Sequence, residues 1–534
     1  MKKIKRNLII AAVVIILLGL YYYIALPAVN IHSTEFWIFL GVLVLLAAAL
    51  FVKKKKLSRY ELKESKGLKV IMGIFAAVVI VYLAGALLSS PIVNAKKYQQ
   101  LMSVETGEFT TDIEELSFDQ IPLLDRESAT LLGNREMGSI VDMVSQFEVD
   151  DLYSQINYQD RPVRVSPLKY ASIIKWLTNS GEGIPAYIKI DMATQDTELV
   201  KLDEGMKYTA SDHFNRNIYR HLRFRYPTYI FNDLSFEVDE EGTPYWICPV
   251  KKFNIGLFGG VTIGRVVLCN AITGETTDYA IEDAPQWIDR AYSADLLVEL
   301  YDYHGTLQHG FLNSVFGQKD CLVTTDGYNY LAIDDDVWVY TGVTSITGDQ
   351  SNVGFVLMNQ RTMETRFYEV EGATEQSAMD SAEGQVQNLH YTATFPLLLN
   401  ISGEPTYFIA LKDDAGLVKM YAMVNVQKYQ IVATGDTVSA CEEQYTTLMY
   451  ENGIKEVEED TREILTAEGK ITKIAQGVVD GNSHYYIMLD GSDGIFDVSV
   501  VDYIDVIRYD VGDAVTIEYK EGEETNTVLS MNRV

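Results

Sequence analysis

Cysteine is scarce in this chain: four residues in 534, none before position 248. So few thiols exclude a disulfide-scaffolded fold. Histidine is scarce too, with seven copies. No His-Glu-x-x-His and no Cys-x-x-Cys occurs, which removes two common metal and redox motifs. Gly-x-Ser-x-Gly is absent, and no glycine run ends in Gly-Lys-Ser/Thr. Neither a nucleophile elbow nor a nucleotide phosphate loop is therefore expected. Basic charge is short, with 44 Lys/Arg against 74 Asp/Glu and a net charge of −30. An acidic surface repels nucleic acid and anionic lipid. From these absences no catalytic residue, no metal and no cofactor is assigned.

What is present is apolar length at the start. Residues 8–26, 36–52 and 70–88 are apolar runs without an ionised side chain. Each has about the length of a bilayer-spanning helix, roughly 20 residues. The first follows the basic stretch MKKIKRN, as a signal peptide would, but its run is long for that and two more follow. All three are expected to be retained spans. Gly73 and Ala77 place small residues four apart on the third, a spacing that suits helix packing. Lys2, Lys3, Lys5 and Arg6 precede the first run, and Lys53–Lys56, Arg59, Lys63, Lys66 and Lys69 lie between the second and third. The loop between the first two has no Lys or Arg. The positive-inside rule then sets the N-terminus in the cytoplasm and residues 89–534 outside it. Lys96 and Lys97 on the outer side do not reverse this balance. Residues 1–92 hold 12 Lys/Arg and 3 Asp/Glu, or +9; against −30 for the chain, residues 93–534 carry −39.

The outward part reads as α+β, with helices laid on antiparallel hairpins. Residues 93–165 are a mixed acidic segment with a helix expected near 128–146. Residues 166–455 repeat a helix followed by strands. SPLKYASIIKWLTNSG predicts a first helix, with Ser166 as cap, Pro167 in its first turn and Gly181 at its exit. SDHFNRNIYRHLRFRY predicts a second, capped by Ser211 and stopped before Pro227. TEQSAMDSAEGQVQ predicts a third and TVSACEEQYTTLMY a last. The strands are AYIKIDM and TELVKL, LSFEVDEEGTPYWICPV and RVVLCNAITGETTDYAI, then YNYLAI, VWVYTGV, VGFVLMN and TRFYEV, and finally PTYFIALK and GLVKMYAMVNV, rich in β-branched and aromatic residues. After the acidic linker EVEEDTRE, residues 464–534 give five short strands with DYIDVIRY between the third and fourth. This arrangement resembles a small OB-type barrel. Residues 468–534 hold 13 acids against 5 bases, unlike the basic grooves that bind single-stranded nucleic acid.

Tyr245-Trp246-Ile247 on one strand, Val266-Val267-Leu268 on the next and the turn Ala271-Ile272-Thr273-Gly274-Glu275 together resemble PepSY-type modules. These are small α+β units found outside the bacterial membrane. The resemblance covers about 70 residues of the second unit and the flanking units by pattern; the spacer 251–261 is longer than in a compact module. It implies binding or inhibitory roles and carries no catalytic set.

Four groups invite a site. Gly256, Gly259, Gly260 and Gly264 precede a strand rather than a helix, so a connector is expected. Arg216, Arg220 and Arg223 share a helix face; they form either an anion-binding face or internal ion pairs. Asp302, His304 and His309, the run Asp334–Asp336, and Asp490, Asp493 and Asp497 lack metal-site spacing and read as loop and turn residues. Cys441 lies on a helical apolar stripe and is expected as a buried thiol. Cys248 and Cys269 fall on strands expected to be neighbours, either bridged or free. The expectation is an integral protein of the bacterial cell membrane, multi-pass, with an extracytoplasmic binding or scaffold role toward an envelope or membrane protein partner and no nucleic acid. The alternatives are an accessory subunit of a transport or secretion complex and, third, an envelope hydrolase.

Overall fold

In the computed structural model the described residues are 2–55, 62, 64–113, 115, 121–333, 335–346, 351–454, 464–479, 482–492, 494–501, 503–522 and 525–534. They divide into two compact bodies, residues 1–445 and 446–534. Helices α1 (Lys2–Ala25), α2 (Thr34–Lys55) and α3 (Lys66–Ser89) come first. α2 and α3 are long and apolar enough to cross a membrane, with mean hydropathies of 2.5 and 2.7, and they contain the runs 36–52 and 70–88. In α1 the described side chains give a shorter apolar stretch, Ala12–Ala25. Of the three expected spans, two thus correspond to helices long and apolar enough to cross a membrane. Lys53–Lys55 end α2; Lys56, Arg59 and Lys63 lie outside the described residues, as do Asp334, Asp493 and the linker at 456–463. Helix α4 (Pro91–Gln99) follows α3 after Ser90.

Beyond β1 (Glu105–Gly107), the first body holds four helix-plus-sheet units in tandem. The first has α5 (Arg126–Ser139), β2 (Phe147–Val149), β3 (Ser154–Tyr158), β4 (Arg161–Tyr170), α6 (Ile173–Asn179), β5 (Ile184–Asp191) and β6 (Thr197–Met206). The second has α7 (Ile218–Arg225), β7 (Ser235–Val238), β8 (Pro244–Ile255), β9 (Gly259–Asn270) and β10 (Thr276–Ala280). The third has α8 (Ala294–Thr306), β11 (Leu322–Thr324), β12 (Asn329–Ile333), β13 (Asp336–Ser345), β14 (Ser351–Asn352), β15 (Gly354–Asn359) and β16 (Thr365–Tyr368). After β17 (Gly372–Ala373), the fourth has α9 (Glu375–Gln385), β18 (Thr392–Ala393), β19 (Leu397–Ile401), β20 (Glu404–Lys412), β21 (Val418–Asn425) and β22 (Val432–Gly435). In each unit a short strand, two long ones and a closing one pair as an antiparallel meander. Helix α10 (Val438–Glu451) comes next.

One turn joins the third strand of the meander to the closing strand in every unit, and its chemistry is in the sequence. Asp191 Oδ1 accepts from the amides of Ala193 and Thr194, Asn270 Oδ1 from Ile272 and Thr273, and Asn359 Oδ1 from Arg361 and Thr362. Asn425 Oδ1 accepts from Gln427 and Lys428. These are Asx turns, in which a short side chain replaces a backbone acceptor. In the first three a threonine hydroxyl then accepts from the amide two residues on, at Asp196, Glu275 and Glu364. Between them sits a left-handed residue, Gln195, Gly274 or Met363. The residue after the Asx also recurs. The amides of Met192, Ala271, Gln360 and Val426 donate to the carbonyls of Pro162, Pro244, Val337 and Pro405. Their carbonyls accept from the segments just before α5, α7, α8 and α9, at Leu123, Lys207 and Tyr208, Ala291 and Tyr292, and Ala373. A single residue thus ties each sheet to the chain entering its helix.

Two helix boundaries differ from expectation. Ser166 and Pro167 lie inside β4, not at a helix start. Val163, Val165 and Leu168 are buried there, and β4 pairs with β2, β3 and β5, which outweighs a local capping pattern. The helix begins at Ile173, capped by Ser172. The second helix is capped by Asn217 rather than Ser211, whose hydroxyl instead accepts from the amide of Tyr170 at 3.4 Å. The first two sheets share one core, in which Ile156, Val163 and Val165 meet Phe236, Trp246 and Cys248. In the third unit, Leu297 and Leu300 of α8 cover Val339, Val356 and Met358.

The second body contains a closed five-stranded barrel of β23 (Ile464–Val479), β24 (Asn482–Leu489), β25 (Ile495–Ser499), β26 (Ala514–Lys520) and β27 (Asn526–Arg533). A short helical turn, Ile504–Arg508, sits between the third and fourth strands and buries Val506 in the barrel core.

Candidate functional site

The arginines of the α7 region are turned to backbone carbonyls. Arg220 donates from Nε to the Tyr23 carbonyl at 3.3 Å and from a terminal nitrogen to Phe214 at 2.7 Å. Its guanidinium lies 4.3 Å from the centre of the Tyr23 ring. Arg223 donates to the carbonyls of Leu26 at 2.8 Å and Tyr229 at 2.6 Å, and burial pushes its pKa down. Arg216 turns away to the carbonyl of Ser180. The two inner arginines therefore occupy the C-terminal end of α1, where orphan carbonyls and the negative end of the helix dipole favour cations. Phe224 packs beside Tyr22 and Tyr23, with ring centres 5.9 and 6.0 Å away. The basic residues are legible in the sequence; the partners the structure gives them are backbone carbonyls.

The glycine-rich stretch is the tip of a long hairpin. β8 and β9 pair down to Ile255 opposite Gly259, with one register shift between Val250 and Lys251. At the tip, the amides of Leu257 and Phe258 donate to Ser89 Oγ at 2.8 and 3.1 Å, and Ser89 donates to Gly85 O at 2.6 Å. His32 Nδ1 lies 2.7 Å from the Leu257 carbonyl, and its ring stacks on Phe253. Phe258 meets Trp37 and Tyr82. A Cβ at Gly256, whose φ is +61°, would strike Ser89 Oγ. The glycines permit a close approach of hairpin to helix end, so the spacer 251–261 is ordered strand and turn.

The cysteines and acidic groups separate by partner. All four cysteines are free and buried. Cys248 lies opposite Val267 and Cys269 opposite Trp246, so the two thiols are diagonal across the ladder and unbridged. His304 Nδ1 lies 3.2 Å from the Gln99 carbonyl, Asp302 accepts from the Thr324 amide, and His309 lies 3.0 Å from Asp320. Asp336 takes both nitrogens of Arg361 at 2.6 and 2.7 Å. Asp335 accepts from Asn157 and Gln286. In the barrel Asp497 pairs with His484 at 2.7 Å, and Asp490 Oδ is not joined to it. Among the described residues no group of three His, Cys, Asp or Glu could hold a metal ion.

A cavity that no sequence motif signals lies where the first, third and fourth units meet. It has a volume of about 280 Å³ and is walled by Arg126, Gln155 and Arg164, by Arg290, and by Tyr330 and Phe395. β3 and β4 place Gln155 directly opposite Arg164, and Arg164 donates to Gln155 Oε1 at 3.4 Å. Both are more than nine-tenths buried, at 6% and 5% exposed. Arg164 Nε and Gln155 Nε2 have no hydrogen-bond partner. Burial pushes the Arg164 pKa down to about 10. Asp125, also in the wall, is already engaged by Lys412 at 2.8 Å and by the Ser128 amide.

No family model matches the chain, and no curated protein matches it. Among solved structures, the D477G ACO/RPE65 chimera in its monoclinic crystal form is similar at 6% identity and a TM-score of 0.14. The alignment covers 73% of this chain and 62% of that one. A likeness that slight carries no argument about fold or chemistry.

Proposed function

We propose that this chain is a multi-pass protein of a bacterial cell membrane whose acidic outer part docks a protein partner of the envelope, as a binding or scaffold protein. The observation that carries this reading is where the ectodomain is seated. Leu26 at the end of α1, His32 before α2 and Ser89 at the end of α3 all receive it through Arg223 or the hairpin tip. Three antiparallel spans, at 8–26, 36–52 and 70–88, would bring those three positions to one side of a bilayer. The Lys/Arg counts set that side outside. The four tandem units extend the PepSY-like reading of the second unit to its neighbours, and the barrel serves as an OB-like terminal module. Binding through such units fits an ectodomain held at fixed orientation to the membrane.

Photocrosslinkers placed through the ectodomain and through residues 12–88 in intact cells, followed by mass spectrometry, test this. The proposal expects envelope proteins captured from ectodomain positions. Capture from the helices alone would make the chain an accessory subunit of a membrane complex. Capture from neither would remove both readings.

A further inference from the structure

The cavity around Arg164 has the chemistry of a ligand site. A buried guanidinium is ordinarily matched by a carboxylate, because an unpaired charge taken from water costs several kcal/mol. Among the described residues no carboxylate lies within ion-pair distance of Arg164, and the nearest acidic wall residue, Asp125, is taken by Lys412. Arg126 and Arg290 add positive charge to the wall. The unsatisfied polar atoms on Arg164 and Gln155 are both N–H donors. Tyr153, also in the wall, has an unpartnered hydroxyl, which faces Gly133. A wall with two spare N–H donors and excess positive charge is complementary to an anion. Tyr328, Tyr330 and Phe395 supply flat apolar walls on the other side.

The size limits the occupant. A volume of about 280 Å³ equals roughly nine waters at about 30 Å³ each, and lies at the lower edge of small-molecule pockets. We propose that this cavity binds a small molecule bearing one carboxylate or phosphate group, with its oxygens on Arg164 and Gln155 and its body against the tyrosines. The site is built from the first unit, the connection carrying Arg290, and the third and fourth units, so occupancy would tie the repeats together. The inference is independent of the partner-docking role, which uses the outer surface.

The test uses the full chain in detergent micelles, with benzoate and inorganic phosphate as probes, read by calorimetry. At least one probe is expected to bind saturably at one site per chain. Arg164→Met should weaken that binding by about tenfold to a hundredfold, the value of a charge-assisted hydrogen bond. Gln155→Met should weaken it by a smaller factor and serves as the deciding variant if Arg164→Met does not fold. Benzoate binding alone assigns a carboxylate ligand; phosphate binding alone assigns a phosphate. Absence of saturable binding by both probes, or binding unchanged in the folded variants, overturns the proposal.

Discussion

Glu237 and Asp289 show how far a side chain's behaviour depends on its surroundings. Glu237, fully buried on β7, accepts from the Ser235 hydroxyl at 2.9 Å and from the amides of Asp289 and Arg290 at 3.0 and 3.2 Å. Asp289, also buried, accepts from the Asn157 amide at 2.8 Å. Burial pushes Glu237 up to about 7. Burial first and the Glu237 charge second push Asp289 well above the usual carboxylate range. The two titrate as a pair. Because the folded state holds protons that the unfolded state has released, stability is highest at the low end of the window and is lost as pH rises from the ordinary carboxylate range through about 7. The melting temperature of the first body should therefore fall between about pH 5 and about pH 8, and Glu237→Gln should flatten that fall. A rise over the same interval would contradict it. At this scale the sequence was legible for Cys441, buried on its helical stripe, and opaque for Arg164. The pattern Pro-Val-Arg-Val-Ser alternates as a half-buried strand would, which places an arginine on a solvent face; residues more than a hundred positions later bury it.

Elements were read best where one local signal acted alone. Helix α9 begins after Thr374, which caps it, and the strands rich in β-branched residues formed where expected. Ser166 and Pro167 form strand rather than helix start because these residues also alternate as a strand, and pairing to three neighbours decides the outcome. The hairpin Pro244–Asn270 was read as two strands and a slack connector because glycine signals permissiveness, not what approaches it. Here the approach is by Ser89. Ser89 is buried, and its hydroxyl serves two hairpin amides. Ser89→Ala should leave both amides unsatisfied, at about 1–3 kcal/mol each if buried. Hydrogen exchange at Leu257 and Phe258 should accelerate while exchange at Val266 to Leu268, deep in the same sheet, stays slow. Equal acceleration at both places would show that the contact supports the whole sheet rather than its tip.

For the whole molecule, the sequence conveyed a repeating order but not its phase. The expected units began at 166, 211 and 374; the units begin at α5, α7, α8 and α9. The clue was the turn series Asp-Met-Ala-Thr-Gln-Asp, Asn-Ala-Ile-Thr-Gly-Glu, Asn-Gln-Arg-Thr-Met-Glu and Asn-Val-Gln-Lys-Tyr-Gln. Only the second has glycine at its left-handed position, so only it carries the local signature of such a turn. The expected five-strand barrel with an insertion after its third strand is legible because each strand is bounded by turn residues; that the insertion is a helical turn is not.

The central claim is that the four units and the barrel lie outside a membrane crossed by the N-terminal helices. Cysteine labelling in intact cells tests it directly, and the chain suits the method, since its four native thiols are buried. Lys201→Cys places an exposed thiol on β6, and Lys55→Cys places one at the end of α2. A membrane-impermeant maleimide is predicted to modify Lys201→Cys in intact cells and Lys55→Cys only after the membrane is opened. Modification of Lys55→Cys in intact cells, with Lys201→Cys protected until lysis, would contradict the account.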